Sequence, residues 1–204
     1  ARNNAYIERF LDLLIANVIG PEGIQHQAQV RLPNGDLDEQ TNDYIEEKFR
    51  EYMNGPVTVD GRMNGHSFMA LQLETVAVDG EAFERYFISR EFRHGLGLQP
   101  LDPDLVPINI SRIADTTGNE IRLGVEVDQF GRRVAYHVYE NAQYMPGAKL
   151  YGPLRISASE IEHHYRTRRA HQTRGVTWLA RVMTDIQDLG AYDEAVIVGA
   201  RAGA

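Results

Sequence analysis

Cysteine is absent from the 204 residues. That removes disulfides, thiolate nucleophiles and cysteine-based zinc or iron–sulfur sites together. Lysine is scarce, since of 21 basic residues only Lys48 and Lys149 are lysines. The arginine bias suits bidentate pairing at interfaces and follows equally from a GC-rich coding sequence. Apolar runs stay well short of the roughly 18 residues that a membrane span needs. The opening Ala1-Arg2-Asn3-Asn4 lacks the layout of a signal peptide. Positive charge is not in excess either: 29 acidic against 21 basic residues leave −8, the wrong sign for a small basic nucleic-acid binder.

What is present is the composition of an ordinary folded chain, 43% hydrophobic and 25% charged, long enough to bury a core. Tyr6, Ile7, Phe10, Leu11, Leu14, Ile15 and Val18 recur at three- and four-residue spacing and predict a helix ending at Gly20-Pro21. Gln25 to Leu32 reads as a strand closed by the turn Pro33-Asn34-Gly35-Asp36. A second helix is expected over 38–52, acidic at its start, with Ile45, Phe49 and Tyr52 as its apolar face. A third is expected over 67–78, burying Phe68, Leu71, Val76 and Ala77. Asp79-Gly80-Glu81 then turns into an aromatic strand over 83–92, and Val106, Ile108 and Ile110 alternate beyond a run of prolines. Ile121, Leu123, Val125 and Val127 alternate, Asp128–Gly131 turns, and Val134, Tyr136, Val138 and Tyr139 return, which predicts one hairpin.

Beyond Tyr144-Met145-Pro146-Gly147, a short strand over 154–156 leads to Ser157 and Glu160. Their spacing is that of a capping box, so a helical turn is expected there. Trp178, Leu179, Val182, Met183, Ile186, Leu189, Tyr192, Val196 and Ile197 predict a long amphipathic helix kinked at Gly190. With no repeats and no linker, the expectation is one α+β body over 1–204: amphipathic helices on antiparallel strands, with a long C-terminal helix. The chain starts without Met and stops inside that helix, which reads as a fragment.

Chemistry is sparse. On a helix, Glu160 and His164 would share a face, and with His163 and His171 they are the best candidates for a divalent metal and a hydrolase. The plainer reading is an exposed turn beside a basic segment. No serine sits in a nucleophile elbow, and Gly95-Leu96-Gly97-Leu98 lacks the lysine of a phosphate loop. The pairs Asp102/Asp104 and Glu126/Asp128 have the spacing of carboxylates on one strand face but suit a solvated position next to a turn. No cofactor, metal or enzyme activity is expected. Charge placement says more. Arg155, Arg166, Arg168, Arg169, Arg174 and Arg181 against Glu160 and Glu162 make 155–181 +4, so the rest carries −12. This arginine cluster is a solvated loop, a contact for phosphates, or a contact for an acidic surface such as the 36–51 segment of another copy.

The segment Arg169-Ala170-His171-Gln172-Thr173-Arg174-Gly175-Val176-Thr177-Trp178-Leu179-Ala180 resembles the R-P-G-Q-x-R-G-V-x-W-L-A signature of the lambda-type portal proteins of tailed bacteriophages. Gly124-Val125-Glu126-Val127-Asp128-Gln129-Phe130-Gly131-Arg132, with Val134-Ala135-Tyr136, is similar to the family's G-V-E-x-D-x-x-G-R-x-V-A-Y hairpin. Glu160–His163, Asp79–Glu81, Leu101–Asp104, Asn17–Gly20, Gly23-Ile24 and Tyr192–Ala195 fall in the family's order. The departures are Ala170 in place of the signature's proline, a second histidine at His164, and Phe49 and Tyr52 as the aromatic pair of the second helix.

The resemblance implies a non-enzymatic ring, typically of about twelve copies, at one vertex of the capsid. Terminase pumps double-stranded DNA through it; the ring retains the DNA and later ejects it through the tail. It implies scaffold, capsid and head–tail adaptor partners and a place in the virion, assembled in the host cytoplasm without a membrane. A different head–tail adaptor is the alternative within phage particles. Family members are longer, so the chain is expected to be part of a wing running into clip and stem elements. Arg169, Gln172, Arg174, Gly175, Trp178, Gly124, Glu126, Asp128 and Gly131 carry the resemblance, and Arg166, Arg168, Arg169 and Arg174 are its candidate contacts with DNA or a neighbouring subunit.

Overall fold

Short polar side chains start the helices. In the computed structural model, which describes residues 4–114, 116–139 and 152–203, Asn4 caps α1 (Ala5–Val18) by accepting from the Tyr6 and Ile7 amides. Asp38 caps α2 (Glu39–Asn54) through the amide and hydroxyl of Thr41. Asn64 caps α3 (Gly65–Val78) through Ser67 N–H at 2.9 Å. The predicted turn at Tyr144–Gly147 lies outside the described residues.

Gln25 to Leu32 is not a strand. The segment runs as a strap along α2 and takes its backbone partners from helix side chains. Val30 N–H donates to Asn42 Oδ1 at 2.7 Å, Asn42 Nδ2 returns to Val30 O at 3.1 Å, and Ala28 N–H donates to Glu46 at 3.0 Å. The predicted turn does form, closed by the Arg31–Leu37 bridge and by Leu32 N–H donating to Asp36 O at 2.8 Å. Asn42 is accordingly the one buried residue of α2, and Phe49 of the expected apolar face stays at the surface.

β1 (Glu81–Ile88) pairs antiparallel with β2 (Leu96–Leu101). The Val106–Ile110 stretch forms no strand, and the chain re-enters a sheet only at β3 (Arg112–Ile113). The expected hairpin is instead a meander. Its first arm breaks into β4 (Glu120–Arg122) and β5 (Val125–Val127), which pair with each other across Leu123-Gly124. Both turn residues have positive φ, +53° and +83°, the geometry of a two-residue turn that follows strand twist. A Cβ at Gly124 would lie 2.8 Å from Pro107 O, so glycine is needed there twice over. β6 (Arg133–Val138) and β7 (Leu154–Ser157) continue the sheet in the order β3-β4-β5-β6-β7.

Ser157 caps only a single 3-10 turn over Ala158–Glu160. The chain then extends as β8 (Ile161–Tyr165), the third strand of the first sheet, in the order β2-β1-β8. Between the two sheets lie Phe83, Leu101, Val106, Val125, Val127, Tyr136, Val138, Ile156 and Ile161. A smaller core joins Ile7 and Leu11 of α1 to Ala77 of α3 and Leu179.

Trp178–Arg181 is a separate 3-10 turn. The break before α4 (Met183–Ala202) falls at Val182 (φ −112°, ψ −3°), and the helix runs past Gly190 without interruption. No residue of α4 is buried. Ile186 packs on the smaller core, and Tyr6 hydroxyl donates to Asp193. The chain is thus mixed α+β with antiparallel strands and a C-terminal helix, as read, and the strands divide into two sheets.

Candidate functional site

The apolar start of β1 carries a carboxylate, Glu81, only 5% exposed. A buried carboxylate must find donors or lose its charge, and the residues brought to Glu81 supply them. Arg174 Nε donates to Oε1 at 2.7 Å. Gly175 N–H and His163 Nε2 both reach Oε2, at 2.7 and 2.9 Å. Since Glu81 only accepts, the His163 proton sits on Nε2.

The Arg174 guanidinium, 7% exposed, also places Nη2 2.6 Å from Glu81 Oε1 and reaches backbone carbonyls with its remaining donors. Nη1 bonds Val106 O at 2.9 Å and Leu123 O at 2.7 Å, and Nη2 reaches Pro103 O at 3.4 Å. Its Cζ lies 5.3 Å from the Phe83 ring centroid, and His163 stacks on the same ring, 4.1 Å away at 21°, and meets Tyr136 edge-on. One ion pair therefore ties together β1, β8, the β4–β5 turn and the chain after Pro103.

The backbones that carry this pair cross in contact. A Cβ at Gly80 (φ +93°) would lie 2.7 Å from Val176 Cα, and one at Gly175 would overlap Gly80 O and lie 2.6 Å from Glu81 Cβ. Thr177 hydroxyl then donates to Ala77 O at 3.2 Å, and Leu179 and Trp178 enter the smaller core. Gln172 braces the preceding loop. Its Oε1 accepts from Arg168 N–H at 2.8 Å, its Nε2 bonds Arg174 O at 2.8 Å, and its carbonyl accepts from Tyr165 hydroxyl at 2.7 Å.

The second buried carboxylate is Glu126, at 0% exposure. It does not share an open face with Asp128. Arg155 binds it through Nε at 2.7 Å and Nη2 at 3.1 Å, with Thr117 and Asn119 donating at 2.7 and 2.9 Å. Asp128 shapes the β5–β6 turn instead, accepting from the amides of Phe130 and Arg132 and pairing with the Arg132 side chain, while Gly131 supplies a positive φ.

The residues of the candidate metal constellation are not brought together. On β8 successive side chains alternate faces, so His163 points inward to Glu81 and His164 outward toward Glu84 at 3.8 Å, while Glu160 pairs with Arg85 at 3.1 Å. His171 is exposed on the loop. Among the described residues no group of three or more His, Asp or Glu could hold a metal ion. The arginine cluster divides as well. Arg166, Arg168 and Arg169 are exposed, whereas Arg155 and Arg174 are committed to Glu126 and Glu81. Glu81 itself was not legible as a site residue, because its partners lie 82 and 93 positions away.

Charge at these two carboxylates is locked. Burial raises the Glu81 pKa, but the bonds from His163, Arg174 and Gly175 outweigh it and hold the group at about 2. Arg155, against a smaller burial effect and with help from Asn119 and Thr117, holds Glu126 at about 2. Burial keeps His163 neutral against the pull of Glu81, lowering its pKa. A carboxylate ionised and saturated with donors at neutral pH is a structural tie, not a proton carrier.

Acid should therefore unfold the chain in two stages. A histidine of depressed pKa is destabilising once the unfolded chain takes up its proton, so stability falls as pH drops below about 6.5. Glu81 and Glu126 contribute fully above about pH 4.5 and lose that contribution as pH falls toward 2. Half-exposed His164, raised by its bond to Glu84, acts weakly in the opposite direction near neutrality. Urea midpoints measured from pH 7.5 to 3 are expected to fall throughout, most steeply below 4.5. A midpoint unchanged between pH 5 and 3 would contradict the carboxylate assignment.

Over residues 1–204 the chain matches the family described as phage portal protein, lambda family. A curated relative, the probable portal protein of Halomonas phage phiHAP-1, is 32% identical over 208 aligned residues, which cover 99% of this chain and 39% of the relative. The chain thus spans well under half the length of the relative it matches.

Proposed function

The chain belongs to the lambda family of phage portal proteins, and we infer from this that it is part of a structural ring subunit at the unique vertex of a capsid. The ring has about twelve copies, is carried in the virion and is assembled in the host cytoplasm. Double-stranded DNA passes through it, driven in by terminase, retained, and released toward a head–tail adaptor, with scaffold and capsid proteins as assembly partners. Residues 1–204 form a wing part that leads, through the exposed α4, toward stem and clip elements.

The observation that carries this reading is how the Arg169–Ala180 segment is used. Its Arg174 and Gly175 close a buried tie and its Leu179 and Trp178 fill a core, and the carboxylate at that tie is ionised and saturated with donors, not placed to move a proton. Such a segment fixes one sheet against the next, which is what a load-carrying ring subunit requires. The net charge of −8 supports it further, because each neutralised phosphate adds affinity and slows a sliding polyanion.

Native mass spectrometry of the longest natural chain containing these residues tests the reading. A closed ring of about a dozen copies is expected. Monomers or dimers that persist at high concentration and with co-expressed scaffold would overturn it.

A further inference from the structure

Most arginines on the described sheets and their turns are engaged within the chain: Arg85 with Glu160, Arg122 with Glu120, Arg132 with Asp128, Arg155 with Glu126 and Arg174 with Glu81. Three arginines of the loop after β8 are not. Arg166, Arg168 and Arg169 are exposed and make no side-chain hydrogen bond or ion pair with any described residue. The loop that carries them is nevertheless well braced, with Gln172 fastened to the backbone of Arg166, Arg168 and Arg174 and held in turn by Tyr165. Much of the ordering cost of presenting three guanidinium groups is therefore met before any partner arrives.

The same chain carries a surface of opposite sign. Glu39, Asp43 and Glu47 follow one another at four-residue spacing on α2, so they form a single acidic stripe. All three are exposed, and none has a side-chain hydrogen bond or ion pair with a described residue. Other carboxylates of this helix are already used: Asp38 caps it, Glu46 holds Ala28 and Glu51 holds Lys48. Like charges at four-residue spacing destabilise a helix slightly; the helix N-terminus offsets this at Glu39 and nearby Lys48 offsets it at Glu47, but none of the three carboxylates is tied down. Beside it stands Tyr44, 61% exposed, with the Lys48 ammonium over its ring at 5.7 Å from the centroid.

We propose that the Arg166–Arg168–Arg169 loop of one copy docks on the Glu39–Asp43–Glu47 stripe of the next copy, as a head-to-tail contact of the ring. The proposal rests on the ring reading above. Two unlike patches that complement each other are what a heterologous, closing interface needs. Their charges steer the encounter and fix the register more than they supply bulk affinity. Assembly through them weakens as salt shortens the Debye length.

Charge exchange in the longest natural chain tests this. One variant carries Arg168→Glu with Arg169→Glu, and the other carries Asp43→Arg with Glu47→Arg. All four side chains are exposed and unbonded, so the fold of each subunit is untouched. Each variant alone should need at least about tenfold more protein for half-assembly. An equimolar mixture should assemble again, because each altered loop then meets an altered stripe, giving rings with equal numbers of the two variants by native mass spectrometry.

Either variant assembling alone like the unaltered protein overturns the proposal. So does a mixture that stays unassembled, and so do normal rings of the arginine variant that retain less double-stranded DNA, which would assign the loop to DNA. If the unaltered protein forms no ring, the ring reading fails, a result separable from all of these.

Discussion

Gly175→Ala should cost the chain about 4 kcal/mol, near the top of the range for a single added methyl group. The added Cβ would overlap a backbone carbonyl, that of Gly80, not the movable end of a side chain. Relief requires the two backbones to separate, and that lengthens the bond from Gly175 N–H to Glu81, now 2.7 Å. It also shifts Arg174, the next residue back. For a chain of this size the midpoint of thermal unfolding should fall by roughly 10 °C. Gly190→Ala is the matched control, since nothing lies within 4 Å of a Cβ there and alanine is the better helix residue by up to ~1 kcal/mol. The control should be neutral or stabilising. Equal losses for the two substitutions would mean that the crossing at Gly80 is not close.

Glu81→Ala and Arg174→Ala should each cost about 3–5 kcal/mol, because each strands the other charge in the interior. Removing both should cost clearly less than the sum, since no orphan charge then remains. Arg174→Lys should rescue little. Lysine keeps the charge, but its single ammonium cannot serve Glu81 and the carbonyls of Val106 and Leu123 from one plane. A double-mutant cycle by chemical denaturation measures the coupling. Additive losses, with an interaction energy under about 0.5 kcal/mol, would show that the pair contributes only packing.

What was legible in the sequence divides by distance along the chain. Apolar periodicity announced all three helices, while their starts were set by Asn4, Asp38 and Asn64, caps that went unread in the sequence; the third begins at Gly65, two residues ahead of the expected 67. Ala28, Val30 and Leu32 alternate as a strand would, yet the strap finds its partners in the side chains of Asn42 and Glu46, which no period reports. The alternation from Ile121 to Val127 ran straight through a reversal, because Leu123 is not a residue that announces a positive φ; Gly124 was the only cue. Ser157 and Glu160 do mark a turn, but a turn of three residues that hands over to β8 and so separates His163 from His164. The resemblance of the Arg169–Ala180 segment led correctly to the family, while the reason Arg174 and Gly175 stand together emerged only with Glu81 placed opposite them.

The bond between Glu81 and Arg174 closes a loop of 93 residues, and that separation sets an order in time. At translation rates of about 5–20 residues per second, roughly 5–20 seconds pass between the synthesis of the acid and of its guanidinium. Through that interval β1 and β2 can pair, but the carboxylate at the head of β1 has neither Arg174 nor the Gly175 amide to receive it, and it must stay in water. The tie across the seam between the two sheets therefore cannot close until Arg174 and Gly175 have left the ribosome, which places it among the last parts of the described fold to dry.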